Sequence, residues 1–240
     1  MNPDAPVPAS DDRETPELTD AQRALRAQLL ATEHWSLLAS RSTTQSEVLT
    51  RIAIFLTMVS AGLFGLGILG NATRFSGWFG VAALGVLALL ALLGVITQLR
   101  VMNAGFDDLS YVLAMNRLRG AYLDLDPGVE RYLVASPFDD EAGAGRTYYP
   151  FRGRALTHVV ASSMMVIVVV EAALLALLVG SMALALVGSV APAVGLGAVV
   201  LAAWVVLSAV TGQRTYAGVW SQHVPLRRSP PHDRRGAASG

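Results

Sequence analysis

Long apolar runs separated by arginine-rich segments constrain this chain most strongly. All 18 cationic side chains are arginine, and 17 of them lie in three polar stretches that alternate with two apolar blocks. The remaining one, Arg74, lies between the two runs of the first block. A membrane-spanning helix needs about 20 predominantly apolar residues. The pattern therefore predicts an all-α membrane protein with four transmembrane helices.

The apolar blocks each have room for two crossings. The first block contains residues 52–70 and 78–99, with a short turn-like segment between them. The second block, about 158–211, is too long for one crossing, and Gly and Pro at 188–192 predict a turn within it. We therefore place the third span near 158–180 and the fourth near 190–211. These lengths predict two antiparallel hairpins.

Arginine placement also predicts orientation. Loops rich in arginine stay in the cytoplasm, so both termini and the middle segment are expected there, in the cell (cytoplasmic) membrane. Four arginines close to the inner ends of the spans should reach lipid headgroups, and Trp78 should anchor the outer interface. The four arginines are Arg51, Arg100, Arg154 and Arg214.

The polar segments extend the first hairpin. Thr19 and Gln22 are spaced as a capping box, and Asp126 with Pro127 predicts a helix stop. Both helices of the first hairpin should continue into the cytoplasm as a stalk, with a break near 42–44 as an alternative. The predicted division is a disordered tail (1–18), a cytoplasmic helix (19–51), the first transmembrane hairpin (52–99), a cytoplasmic helical segment and loop (100–157), the second transmembrane hairpin (158–211) and a cytoplasmic tail (212–240). The stalk carries an apolar stripe, which favours a homo-oligomer.

A loop is predicted at residues 136–153. Its acidic cluster, Asp139 to Glu141, is typical of a solvated loop more often than of a metal site. Its basic and aromatic side chains are expected to contact headgroups, with nucleotide or RNA binding as the weaker alternative. They are Arg146, Tyr148, Tyr149, Phe151, Arg152 and Arg154. The last residues, from Leu226, are expected to be disordered.

Composition argues against several function classes. The formal net charge is zero, so the chain has no overall positive potential that would attract nucleic acid. Cysteine is absent, which excludes disulfides and thiolate chemistry. No motif for catalysis or phosphate binding is present, and the four histidines lack ligand spacing. We therefore expect no enzyme activity, no cofactor and no metal. The glycines at 62, 65, 67 and 70 suit close helix contact in a membrane.

Glu171 is the one charge within the second apolar block. An acid at the centre of a span is costly to ionise, so we expect it to face the protein interior and to be at least partly protonated. Three interpretations remain open: a hydrogen bond to another helix, a polar pathway for protons or ions, or contact with a bound ligand. Thr57, Ser60 or Ser208 could supply a hydroxyl partner.

Two cytoplasmic stretches carry a family resemblance. LLATEHWSLLASRS (29–42) and MNRLRGAYLDLDP (115–127) resemble the signature blocks of an uncharacterised group of actinobacterial multi-pass membrane proteins. The layout of helix, two spans and long helix is similar to SLATT-type membrane effectors, which implies a pore-forming role. The second pair of spans departs from that pattern.

These observations predict an oligomeric pore or membrane effector with a cytoplasmic helical stalk. One alternative is a small proton- or ion-coupled transporter subunit that uses Glu171. Another is a non-conducting membrane scaffold that recruits a cytoplasmic protein partner through residues 100–157.

Overall fold

The computed structural model describes residues 18–151 and 162–231, and the described residues form helices without strands. Arg152, Arg154, residues 158–161 of the predicted third span, residues 1–17 and residues 232–240 lie outside this part. The helices are α1 (Asp20–Thr73), α2 (Phe79–Leu125), a 3-10 helix (Pro127–Tyr132), α3 (Glu141–Tyr148), α4 (Ser163–Val187) and α5 (Val190–Gln222).

Four of these helices, α1, α2, α4 and α5, are long and apolar enough to cross a membrane. Each contains one of the predicted apolar runs or its described part. Their length and composition support a multi-pass, membrane-embedded protein.

Local signals in the sequence explain where the helices begin and end. The capping box is confirmed, because the Thr19 hydroxyl accepts from the amide of Gln22 and the Gln22 side chain accepts from the amide of Thr19. The stop is confirmed as well, since α2 ends at Leu125 and Asp126 is extended. Helix α1 runs through residues 42–44 without the break that the alternative allowed.

The turns between neighbouring long helices use left-handed backbone. Arg74 and Phe75 have φ of 53° and 56°, and Gly188 has φ of 70°. The Phe75 ring folds back over Gly70, where a Cβ atom would overlap it. Gly188 ends α4 because glycine adopts this conformation without a steric penalty.

Helix α2 is the centre of the packing. It packs against α1 and α4, while α5 packs mainly against α4. One apolar cluster joins α1, α2 and α4. A second cluster joins the C-terminal half of α2 to α3 and the end of α5. Its buried members are Leu109, Leu113 and Ala144, with Tyr148, Val219 and Trp220 packed against them.

Small residues allow two close helix approaches. A Cβ atom at Gly62 would lie 2.9 Å from Leu90 of α2, and one at Gly197 would lie 3.0 Å from the Ala176 carbonyl oxygen of α4. Gly65 and Gly67 have nothing within 4 Å among the described residues, so their predicted close contact is not made within this chain and stays a prediction. These two glycines lie on an open face of α1.

Two predictions for the polar segments were wrong. Residues 141–148 form helix α3 rather than loop, capped by Asp140, whose carboxylate accepts from the amide of Gly143 at 2.9 Å. Residues 226–230, expected to be disordered, pack against the start of this helix. The second error has a long-range cause, since the contacts that hold residues 226–229 join segments nearly 90 residues apart.

Candidate functional site

Glu171 is fully buried in the first half of α4. Its exposed fraction is 0%. Neither carboxylate oxygen has a hydrogen-bond partner among the described residues. Its helical neighbours Ile167 and Leu174 belong to the apolar cluster that joins α1, α2 and α4. The expectation that this side chain faces the protein interior therefore agrees with its buried position among these helices.

The Glu171 carboxylate lies against a notch in α2. A Cβ atom at Gly94 would overlap this carboxylate, and the same atom would lie 3.0 Å from the Phe55 ring of α1. Gly94 is buried. The acid thus contacts backbone at the junction of three helices, because α2 carries no side chain at this point.

The proposed hydroxyl partners bond elsewhere. Thr57 and Ser60 donate to the carbonyl oxygens of Ala53 and Leu56 on their own helix, each at 2.8 Å. Ser208 accepts from the Gln98 side chain at 3.0 Å. The described residues thus show no interhelical hydrogen bond to Glu171. An acid so placed can hold a proton stably, and its ionisation requires water, a cation or a movement of the helices.

A second polar contact between apolar helices involves Gln98, which the sequence analysis overlooked. Its amide nitrogen donates to Ser208, and its amide oxygen accepts from the Trp204 indole at 3.1 Å. These bonds join α2 to α5. The sequence did contain a signal for this contact: Gln98 is a lone side-chain amide within an apolar run, and buried amides need hydrogen-bond partners.

Arg51 and Arg100 meet at one carboxylate. Arg51 lies 2.9 Å from Glu47 on its own helix, and Arg100 of α2 lies 3.0 Å from the same side chain. The hydrogen bonds from Arg100 and Arg51 lower the pKa of Glu47. The structure therefore places these two predicted interface residues at the same height along the paired helices α1 and α2.

The other predicted interface residues lie apart from this pair. Trp78 is 63% exposed directly before α2. Arg214 is exposed on α5, which continues past it to Gln222. Arg154 lies outside the described residues.

Asp108 is the centre of a polar network on the C-terminal half of α2. Arg41 of α1 donates to it at 2.6 Å, and Tyr148 of α3 donates at 2.7 Å. Burial favours the neutral acid, but these hydrogen bonds outweigh it and lower the pKa of Asp108. Burial and the bond to Asp108 raise the pKa of Tyr148. The network joins three helices outside the apolar runs.

The acidic cluster holds the end of the chain. Asp139 is 0% exposed, and its carboxylate accepts from Arg117 at 2.6 Å and from the amides of Leu226 and Arg227 at 3.0 and 2.8 Å. Asp140 accepts from the amide and hydroxyl of Ser229 at 2.8 and 2.6 Å. We call residues 223–230 the C-terminal strap. The prediction of a solvated acidic cluster was wrong for Asp139 and Asp140, whereas Glu141 is exposed.

The Arg227 side chain fastens the strap to α2. It donates to the Gly120 carbonyl at 3.1 Å and to the Asp124 carboxylate at 2.6 Å. The His223 ring lies 2.7 Å from the Asp139 carbonyl oxygen. Since the strap directly continues α5, these bonds fix the end of α5 to the far half of α2.

Tyr148 and Phe151, two described members of the predicted basic-aromatic patch, do not share one surface. Tyr148 points inward to Asp108, whereas Phe151 is 88% exposed. Within residues 18–151 and 162–231, no group of three or more His, Asp or Glu side chains is arranged to hold a metal ion. Asp139 and Asp140 instead bind the strap and cap α3.

Comparisons with known proteins give no further guide. No protein-family model, curated protein or solved structure matches this chain.

Proposed function

We propose that this chain is an oligomeric pore or membrane effector of the cytoplasmic membrane, with both termini and the stalk in the cytoplasm. The spans conduct ions or perturb the bilayer, and the stalk assembles the copies. A row of exposed apolar side chains on the stalk part of α1 is the main support for this proposal. The similarity in layout to SLATT-type effectors agrees with it.

The proposal includes two antiparallel transmembrane hairpins. Contacts between α1 and α2 occur in opposite chain order, since Tyr122 contacts Leu30, Asp108 contacts Arg41 and Arg100 contacts Glu47. The meeting of Arg51 and Arg100 at Glu47 supports one membrane boundary for both helices. The biased distribution of arginine supports the cytoplasmic side for that boundary.

The stalk leaves much of its apolar surface uncovered. Trp35 is 72% exposed, Leu49 is 59% exposed and Leu38 is 43% exposed. At 100° per residue these three side chains lie on one flank of α1, beside the face that packs on α2. A two-helix stalk with such a flank is marginal alone in water. A second copy of the same flank would cover it, which favours self-assembly.

Disulfide cross-linking between introduced cysteines tests this assembly. Because the chain has no cysteine of its own, native thiols cannot contribute to the signal. We expect Leu38→Cys to form a disulfide-linked dimer under mild oxidation in native membranes, since this position lies on the uncovered flank. Ser40→Cys is the matched control, because position 40 is exposed on the opposite side of the same turns. Equal cross-linking at both positions, or none at Leu38→Cys, would count against assembly through this flank.

Liposome flux tests the activity. We expect purified protein to release an encapsulated dye or collapse an ion gradient, and Leu38→Glu to lose this activity because a charge on the flank prevents assembly. Ser40→Glu adds the same charge on the opposite side and should retain the activity. Flux that is absent from all assembled preparations would favour the non-conducting scaffold instead.

A second candidate function, a proton- or ion-coupled transporter subunit, is favoured by the buried and unpartnered Glu171. Here we expect Glu171→Gln to reduce proton flux to the level of empty liposomes while cross-linking at Leu38→Cys is retained. The exposed acid Glu130 supplies the control, since Glu130→Gln makes the same substitution outside the apolar runs. Loss of both flux and assembly in Glu171→Gln would assign the acid a structural role. Unchanged flux would exclude it from the pathway.

A further inference from the structure

A half-buried arginine on the stalk lacks an acidic partner. Arg119 lies on the C-terminal half of α2, and its guanidinium donates to the Asn116 side-chain oxygen at 2.7 Å. This is its one hydrogen bond within residues 18–151 and 162–231, although a guanidinium carries five N–H donors. No carboxylate of the described part lies within 4.0 Å of it, in contrast to Arg41, Arg100, Arg117 and Arg227.

The surroundings of Arg119 disfavour its positive charge. Burial and the nearby positive charge of Arg41 lower the pKa of Arg119. Asp108 does not relieve this, because it is engaged with Arg41 and Tyr148. Partial burial of a cation without a counter-charge costs free energy. A bound anion would supply that counter-charge.

His34 supplies a second group at the same place. Its ring stacks on Tyr122, with centroids 5.9 Å apart and planes within 4°. The Tyr122 hydroxyl is fixed by donation to the Leu30 carbonyl at 3.1 Å. Burial and the charge of Arg119 lower the pKa of His34. A bound anion would act in the opposite direction and favour the protonated, donating form of His34.

We propose that Arg119 and His34 form a binding site for the phosphate group of a soluble compound, with Tyr122 as its aromatic wall. Guanidinium groups suit phosphate because their planar donors bond two oxygens at once. The position favours a soluble compound over a lipid. Arg119 follows Arg100 by 19 residues on one helix, which is roughly 28 Å along the axis. With Arg100 at the proposed membrane boundary, this distance places the site beyond the headgroups.

Binding of inorganic phosphate and of ATP to the protein in neutral-lipid nanodiscs tests the site without any flux measurement. At constant ionic strength, we expect titration calorimetry to detect binding that Arg119→Gln weakens about tenfold or more. Arg26→Gln removes an equal charge from an exposed stalk position and should leave the dissociation constant unchanged. Arg119→Lys keeps the charge and should restore part of the affinity, which separates loss of binding from loss of folding.

Imidazole NMR of His34 provides the second measurement. We expect phosphate to raise the pKa of His34 in the unaltered protein and in Arg26→Gln, but not in Arg119→Gln. A shift seen only in nanodiscs that contain phosphatidylglycerol would overturn the soluble source in favour of a lipid headgroup. Absence of binding by calorimetry together with an unchanged His34 signal would overturn the site itself. Neither calorimetry nor the His34 signal depends on conduction. Both would therefore still test the phosphate site if the protein proved not to form a pore.

Discussion

Replacing Asp139 with asparagine is expected to lower the free energy of unfolding by about 2–4 kcal/mol. The buried carboxylate binds Arg117 and two strap amides, and a neutral amide group in its place matches neither the charge nor the donor pattern. The strap should detach from α3 as a result. Reversible denaturation in mixed micelles gives the free energy, and protease cleavage near Pro225 reports strap release.

Asp107→Asn is the matched control for this prediction. Asp107 lies on the same helix as Arg117, but it is 49% exposed and is 3.7 Å from Arg100. Its replacement should change the unfolding free energy by less than about 1 kcal/mol. Equal effects of the two substitutions would show that the strap contributes nothing beyond a general charge effect.

The same carboxylate predicts a pH dependence. Burial favours the neutral acid, but the amide of Arg227 and the guanidinium of Arg117 outweigh it and lower the pKa of Asp139. The folded-state pKa is thus below the unfolded value, so this contribution is complete at neutral pH. It is lost as the pH falls through the folded-state pKa. The difference in unfolding free energy between the unaltered protein and Asp139→Asn should therefore shrink in acid. A difference that grows in acid would contradict the assignment.

A methyl group at Gly94 should destabilise the junction of α1, α2 and α4. A Cβ atom there would overlap the Glu171 carboxylate and approach Phe55, so Gly94→Ala forces one of the packed side chains to move. We expect a loss of about 1–3 kcal/mol in unfolding free energy. In the Glu171→Ala background the same change should cost much less, because the overlapping group is absent. Unfolding of the two single variants and the double variant measures this coupling.

Gly85→Ala controls for helix propensity and membrane insertion. Gly85 lies in the same apolar run of α2 and has nothing within 4 Å among the described residues. Its replacement should be neutral or slightly stabilising, since alanine favours helix. Additive effects of Gly94→Ala and Glu171→Ala would show that the acid does not lie against α2.

Local patterns predicted the features of this fold that depend on neighbouring residues. The apolar runs are long enough to indicate four membrane-capable helices, and the cap at Thr19 and the stop at Asp126 lie within a few residues of the signals that cause them. Glu171 stood out because one acid in an apolar run has a large desolvation cost. Predicting these features requires no knowledge of tertiary contacts.

Long-range partners explain what the sequence could not reveal. Asp139 is predicted to be solvated because its strap partners, Leu226 and Arg227, lie 87 and 88 residues later. The contact of Glu171 with Gly94 depends on the rotation of two helices, which depth along a span does not specify. Likewise, Thr57 and Ser60 are spaced correctly for a partner but bond to their own helix.

Single-cysteine labelling of intact cells distinguishes four crossings with both ends in the cytoplasm from every other topology. Serines at 42, 76, 110, 189 and 221 are exposed, and cysteine is nearly isosteric with serine in this otherwise cysteine-free chain. We expect a membrane-impermeant maleimide to label Ser76→Cys and Ser189→Cys from outside. The other three cysteines should react only after permeabilisation. Labelling of Ser42→Cys from outside, or of Ser76→Cys and Ser189→Cys from opposite sides, would rule out the proposed four-span topology.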